Sequence, residues 1–298
     1  MVMQRGADVE SEPRGWALEQ LAQGRTVPIF EEIAGDLDTP VSVFLKLRAK
    51  DPAFLLESVE GGEHLARYSF VGARPARVLR FRDGDATVTE ANGETSAHHY
   101  EDPLELVAET LGTAGVVANP LLPRFQGGAV GYLAYDAAAN FERLPVPEPD
   151  PLGVPDGVFM MCEELVIFDH ARHVMRLVAV ARPGADPERA YASARSQLEA
   201  LAERIASATP TRRLPDVTRS NGHISASMTK AEFMQVVERA KDYIAAGDII
   251  QTVPSLRLSR PLSVDPIEVY RTLRPINPSP TCSSWTLATC SLRAPRQR

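Results

Sequence analysis

Cysteine is almost absent from this sequence. Cys162, Cys282 and Cys290 are the only three in 298 residues, and so small and odd a number builds no disulfide framework. No apolar run reaches the length of a membrane-spanning helix. The N-terminus, Met1 to Arg14, is polar and of mixed charge, without the apolar core of a secretory signal, so a cytoplasmic location is expected. A basic excess is missing as well. Lys and Arg number 32 against 39 Asp and Glu, a net charge of −7, which disfavours a general binder of nucleic acid. The usual catalytic signatures are also lacking: there is no HExxH, Walker A or GxSxG pattern, and Gly127, Gly128 and Gly131 are wrongly spaced for a dinucleotide fingerprint. What remains is an ordinary globular composition, 44% hydrophobic and 24% charged, in a chain long enough for one large or two ordinary domains.

Local signals punctuate the chain clearly. Thr39-Pro40 and Asp102-Pro103 read as N-caps followed by proline at the first helical position, and Asp186-Pro187 opens a long helix, Glu188 to Ala206, with an alanine/leucine face. The first of these helices is expected to run to about Ala49. Phe54-Leu55-Leu56 reads as a buried strand leading into Glu57-Ser58, and Arg67 to Gly72 as a second strand. Asp83-Gly84 between Val78–Phe81 and Ala86–Val88 predicts a tight hairpin. Val158–Phe168 and His173–Val180 predict another hairpin, across Asp169-His170. Residues 208–222 are polar, proline-containing and aperiodic, and are expected to be a linker. A second unit opens with the capping box Thr229-Lys230-Ala231-Glu232. Phe233, Val236, Val237, Ala240 and Ile244 follow at helical spacing up to Gly247. Ile249–Val253 reads as a strand, and Asp265-Pro266 opens a helix that should end before Pro275. Strands in runs with helices interspersed predict an α+β (mixed α/β) fold.

Taken one at a time, the chemically interesting residues have plain structural readings. His98-His99 are neighbours and would point to opposite faces of a strand, so they make poor joint metal ligands. His170 and His173 flank a turn and should be solvated. Cys162 lies in an apolar strand and reads as inert core. Glu163-Glu164 should face solvent or a strand end. The glycines 127, 128 and 131 suggest a strand crossing too tight for side chains. On the residues alone, Leu55 and Leu56 are core, and Glu57-Ser58 end a strand.

The ordered set of segments says more. It begins with Leu55-Leu56-Glu57-Ser58, Arg67-Tyr68-Ser69-Phe70 and Gly127-Gly128-Ala129-Val130-Gly131-Tyr132, with Tyr135-Asp136 and Phe141-Glu142. Asp150 to Asp156 and Val166 to His170 follow, then Met228-Thr229-Lys230 with Phe233, Ala246-Gly247-Asp248-Ile249 with Gln251, and Asn277-Pro278-Ser279-Pro280. This ladder, over about residues 15–280, resembles the anthranilate synthase component I family. The large subunit of aminodeoxychorismate synthase, of the folate pathway, shares much of it.

The resemblance implies an N-terminal domain of packed β-sheets with flanking helices over 15–207, after a disordered stretch 1–14. The start of a chorismate-binding domain would occupy 223–280. It implies conversion of chorismate and ammonia to anthranilate and pyruvate in tryptophan biosynthesis. Mg²⁺ would be the cofactor, a glutamine amidotransferase component II would be the ammonia-supplying partner, and tryptophan would be the feedback inhibitor. In the family the metal and catalytic side chains lie downstream of the Asn-Pro-Ser-Pro segment, so no catalytic or metal residue carries over to this sequence. What carries over is a tryptophan-binding set: Leu56, Glu57 and Ser58, with Pro280, Thr281 and Cys282. The last two stand where the family has tyrosine and methionine. Glu57 would pair with the ligand ammonium, Ser58 with a polar group, and apolar walls would cover the indole. Pro254 and Leu256 are further departures, and Pro254 would end its strand early or confine it to an edge.

Residues 281–298 (TCSSWTLATCSLRAPRQR) hold two of the three cysteines and no acidic residue. They show neither alternation nor a cap, and are expected to be an aberrant tail that does not continue the domain. Read one base out of frame, Thr281 and Cys282 permit tyrosine and methionine. Trp285 followed by Thr286 forces aspartate, and Ala294 to Arg298 permit Gly-Ala-Ser-Pro-Glu, the family's own continuation. A one-base frameshift near the Pro280 codon is the expectation, which makes this chain an inactive fragment or a non-catalytic remnant that binds component II. Beyond about residue 228 it should be ill-ordered, with strands short of partners and an uncovered apolar face. Resequencing the DNA around that codon checks the frame; a single frame running unbroken into the tail overturns the expectation.

Overall fold

A computed structural model describes residues 12–48, 52–58, 67–112, 116–144, 152–208, 223–276, 281–287 and 290–295. The chain divides into two compact units, one of residues 1–211 with 270–298 and the other of residues 212–269. Residues 270–298 thus fall with the first unit, where the sequence suggested a second unit to 280 followed by a tail.

In the first unit α1 (Arg14–Ala22) leads into β1 (Val27–Ala34). Ahead of it Glu12 is buried and accepts a hydrogen bond from the Phe30 amide at 2.8 Å, so residue 12 is already anchored; residues 1–11 lie outside the described residues. α2 (Pro40–Leu47) starts at Thr39, whose hydroxyl accepts from the Ser42 amide while the Ser42 hydroxyl accepts from the Thr39 amide. β2 (Ala53–Ser58), β3 (Tyr68–Ala73), β4 (Arg77–Arg82), β5 (Asp85–Glu90) and β6 (Thr95–His99) follow. The β4–β5 loop is Asp83-Gly84, both at positive φ (52° and 82°), the backbone that a two-residue hairpin demands. α3 (Pro103–Leu111), β7 (Gly128–Leu133), β8 (Gly157–Cys162), β9 (Glu164–Asp169), β10 (Val174–Ala181) and α4 (Pro187–Ala206) complete this stretch.

The strands form two antiparallel sheets. The five-stranded sheet runs β6-β5-β4-β8-β7. The seven-stranded sheet runs β1-β10-β9-β3-β2 and continues with two strands from the C-terminal residues, described below. Between the sheets lies the main core: Phe30, Phe54, Val78, Val130, Val158, Met160, Cys162, Leu165, Ile167 and Val178, drawn from both. α3 covers the outer face of the five-stranded sheet through Val107, against Leu79, Phe81 and Met161. α4 buries Ala194, Leu198, Leu201 and Ile205, a stripe at helical spacing, and with α2 lies on the outer face of the seven-stranded sheet. This is the α+β arrangement of packed sheets and flanking helices that the resemblance implied.

Three expectations fail, each for an identifiable reason. Val158–Phe168 is not one strand but two, β8 and β9, in different sheets. The inward residues are 158, 160 and 162, then 165 and 167. The period of two breaks at Glu163-Glu164, where the chain crosses from one sheet to the other. Glu163 is held there by Arg182 at 2.6 Å, and its carbonyl accepts from the Val180 amide at 2.8 Å. Residues 281–298 do not lack strands either. β13 (Thr281–Leu287) pairs antiparallel with β2, and β14 (Cys290–Pro295) with β13. The pairing is made by main-chain groups, which an irregular side-chain pattern leaves intact. It does leave a mark: Ser284, opposite Leu55, is fully buried, and its hydroxyl hydrogen-bonds to nothing. Third, α6 (Pro266–Ile276) runs through Pro275. The ring falls in the last turn, where it removes only one helical donor.

The second unit holds β11 (Ser225–Ala226), α5 (Lys230–Ala246) and β12 (Leu258–Ser259), with β11 paired to β12. The predicted capping box of Thr229 and Glu232 is present, and Gly247 ends the helix at φ 84°. No residue of α5 is buried, and Met234, Val236, Tyr243 and Ile244 are exposed. Ile249–Val253 forms no strand; Pro254 follows it, with no amide to give a partner. The expected linker at 208–222 lies, beyond residue 208, outside the described residues.

Within the glycine-rich segment the tight crossing is at Gly131, whereas a Cβ on Gly128 would meet nothing within 4 Å. A Cβ on Gly131 would stand 2.0 Å from the Val158 carbonyl oxygen and 2.7 Å from the Phe159 Cα, both backbone atoms of the neighbouring strand. Gly131→Ala is expected to destabilise the chain by about 2–3 kcal/mol through overpacking. A urea unfolding midpoint equal to that of the parent chain would contradict the reading.

Candidate functional site

β2 is a central strand whose two faces do different work. Phe54 and Leu56 point into the core between the sheets, where Leu56 is part-buried. Leu55 and Glu57 point the other way. Leu55 is fully buried, as expected of core, but Glu57 does more than end a strand. It is 3% exposed, and both carboxylate oxygens are engaged by α6. Oε2 accepts from the Tyr270 hydroxyl, and Oε1 accepts from the Arg274 guanidinium at 2.9 Å. Tyr270 is itself 2% exposed. Tyr270 and Arg274 lie four residues apart, so one helix face presents both to the carboxylate. Sequence reading placed this helix but missed both residues. The available signal was that spacing, in a helix whose start the Asp265-Pro266 cap had already fixed.

The partner strand falls in a telling register. Thr281 pairs with Ser58 and Cys282 with Glu57, followed by Ser283 with Leu56 and Trp285 with Phe54. Two segments more than 200 residues apart, each named from the sequence as half of one site, are therefore hydrogen-bonded neighbours. Trp285 joins the inter-sheet cluster, its ring 6.4 Å from that of Tyr132. Pro280 lies outside the described residues.

The other residues singled out from sequence stand apart from this corner. His98 and His99 are exposed on β6, within 2.8 Å of Ser96 and 3.3 Å of Asp85 respectively. His170 is exposed, 2.8 Å from the Ser69 hydroxyl. Cys162 is buried, and burial pushes its thiol far up, as an inert core cysteine requires. A cleft of about 550 Å³ opens among Pro52, Arg74, Arg80, Thr89 and Glu163, and holds none of the expected site residues.

Residues 51–292 match the family model described as chorismate binding enzyme. This chain belongs to the chorismate-binding enzyme family. It is 43% identical over 261 residues to anthranilate synthase component 1 of Thermus thermophilus, covering 86% of this chain and 52% of that protein. It is 39% identical to the Pseudomonas aeruginosa protein of the same name, covering 85% of this chain and 52% of the relative. The crystal structure of anthranilate synthase component I from Streptococcus pneumoniae TIGR4 superposes with a TM-score of 0.58 at 27% identity, over 83% of this chain and 52% of that one. The chain spans about half the length of the curated relatives it matches.

Burial pushes the Glu57 carboxyl above the ordinary glutamate value, while the Tyr270 hydrogen bond and the Arg274 charge offset part of the rise. The folded chain then holds that proton more tightly than the unfolded one. The resulting stability is complete below about pH 4.5 and is lost as pH rises through the raised value. Glu57→Gln removes this dependence. The urea midpoint of the parent chain, measured against that of Glu57→Gln, is expected to fall as pH is raised from about 4 to about 8. A gap that does not change with pH would overturn it.

Proposed function

We propose that this chain is part of an enzyme that converts chorismate and ammonia to anthranilate, pyruvate and water, and that its β2–β13 corner is a tryptophan feedback site. The single observation that carries the second half is the register, with Glu57 and Ser58 directly opposite Cys282 and Thr281 on the paired strand. The relatives at 39% and 43% identity, both named anthranilate synthase component 1, support the first half. In this reading a glutamine amidotransferase component II supplies the ammonia, and the enzyme works in the cytoplasm.

The corner suits a zwitterionic aromatic ligand. Glu57 is a desolvated carboxylate with a demand for a cation, which an α-ammonium would meet. Leu56, half-buried among Tyr68, Phe70 and Trp285, lies on the opposite face of β2 from Glu57, so an indole would reach that apolar surface only around the end of the strand.

Mg²⁺ is the cofactor the family implies. Among the described residues no three His, Cys, Asp or Glu side chains converge as its ligands, so these residues do not fit the ion. In this reading the polypeptide of residues 1–298, taken alone, does not turn over chorismate. Purified chain incubated with chorismate, Mg²⁺ and ammonia is expected to give no anthranilate fluorescence. Fluorescent product would overturn that statement. An aminated chorismate that keeps its enolpyruvyl group would instead place the chain with the aminodeoxychorismate synthases.

A further inference from the structure

Glu57 has no open face. With α6 in place the residue is 3% exposed, and its two oxygens are occupied by Tyr270 and Arg274. No ammonium group can reach that carboxylate until one of the two leaves. Arg274 is the weaker hold. It gives Glu57 one hydrogen bond, 2.9 Å from Nη2, while its Nε is buried and hydrogen-bonds to nothing. The two-pronged fork that makes arginine a strong carboxylate partner is therefore not used. The side chain is also 36% exposed, so the departing guanidinium has water to enter. Tyr270, 2% exposed, has no such exit.

We propose that Arg274 is an internal stand-in for the ligand's ammonium: tryptophan reaches Glu57 only by displacing Arg274, and in doing so frees the C-terminal turns of α6 from β2. The inference rests on reading the β2–β13 corner as a tryptophan site. A buried carboxylate left without a partner is strongly destabilising, so some cation must stay on Glu57 in both states. The exchange satisfies this, since the ammonium arrives as the guanidinium leaves and no net charge is added to the buried site. Two properties follow. A tryptophan without a free ammonium, such as N-acetyl-tryptophan, has nothing to exchange and does not bind. Affinity in the parent chain is lowered by the competition, because a charge-assisted hydrogen bond must be broken for each ligand bound.

The test is isothermal titration of the whole 298-residue chain with L-tryptophan at about pH 8, using the parent, Arg274→Met and Glu57→Gln. Arg274→Met is expected to bind about tenfold more tightly than the parent, and Glu57→Gln to lose binding. Hydrogen–deuterium exchange on the parent needs no variant, and amides of residues 270–276 should exchange faster when tryptophan is added. Equal or weaker binding by Arg274→Met, or unchanged or slower exchange in 270–276, overturns the displacement while the tryptophan site itself stands. Binding by neither the parent nor Arg274→Met overturns the site reading, and this inference with it.

Discussion

The backbone pairing of β13 on β2 is the constraint on which the rest of the candidate site depends. β2 lies inside the seven-stranded sheet, with β3 on one side and β13 on the other. Main-chain N–H and C=O groups on a buried strand must be paired, and β3 satisfies only one edge. β13 satisfies the other edge and fixes the register that sets Cys282 against Glu57. The same pairing carries Trp285 into the inter-sheet core beside Phe54 and Tyr132. Ser284 is the visible cost, a buried hydroxyl without a partner, worth about 1–3 kcal/mol.

Around that pairing the two faces of β2 separate structure from chemistry. The inward face, Phe54 and Leu56, belongs to a core continuous across both sheets. The outward face ends in a carboxylate that helix α6 buries and holds with a hydroxyl and a guanidinium. Another buried acid in the unit, Asp169, is held differently. Asp169, fully buried in its side chain, is pushed up by desolvation but brought below the usual range by Arg67, whose Nε and Nη2 grip it at 3.0 and 2.8 Å. Glu57, with its single guanidinium bond, stays above the ordinary value. The contrast is between a forked and a single guanidinium contact.

Much of this was legible in the sequence. The caps at Thr39, Asp102, Asp186 and Thr229 placed four helices, because a side-chain acceptor before a helical run has a purely local cause. Asp83-Gly84 placed a hairpin for the same reason. The tight crossing at Gly131 was also readable, since only a missing side chain fits there. The resemblance named both halves of the candidate site, Glu57-Ser58 and Thr281-Cys282, before their contact could be known. The break at Glu163-Glu164 was present in the residues too, as a shift of the inward positions from even to odd numbers, but an unbroken apolar run concealed it.

What the sequence determined by itself was local: which segments turn, cap, alternate or exclude a Cβ, because those properties depend on neighbours a few residues away. It also determined the family, through the order of those segments. The tertiary structure alone decided that residues 281–287 complete the sheet, because backbone pairing is nearly blind to side-chain pattern. It alone decided that Glu57 meets Tyr270 and Arg274, more than 200 residues away. No local rule links a strand end to a helix face at that distance; only packing brings the carboxylate and its counter-ion together, and only their burial gives the contact its energy.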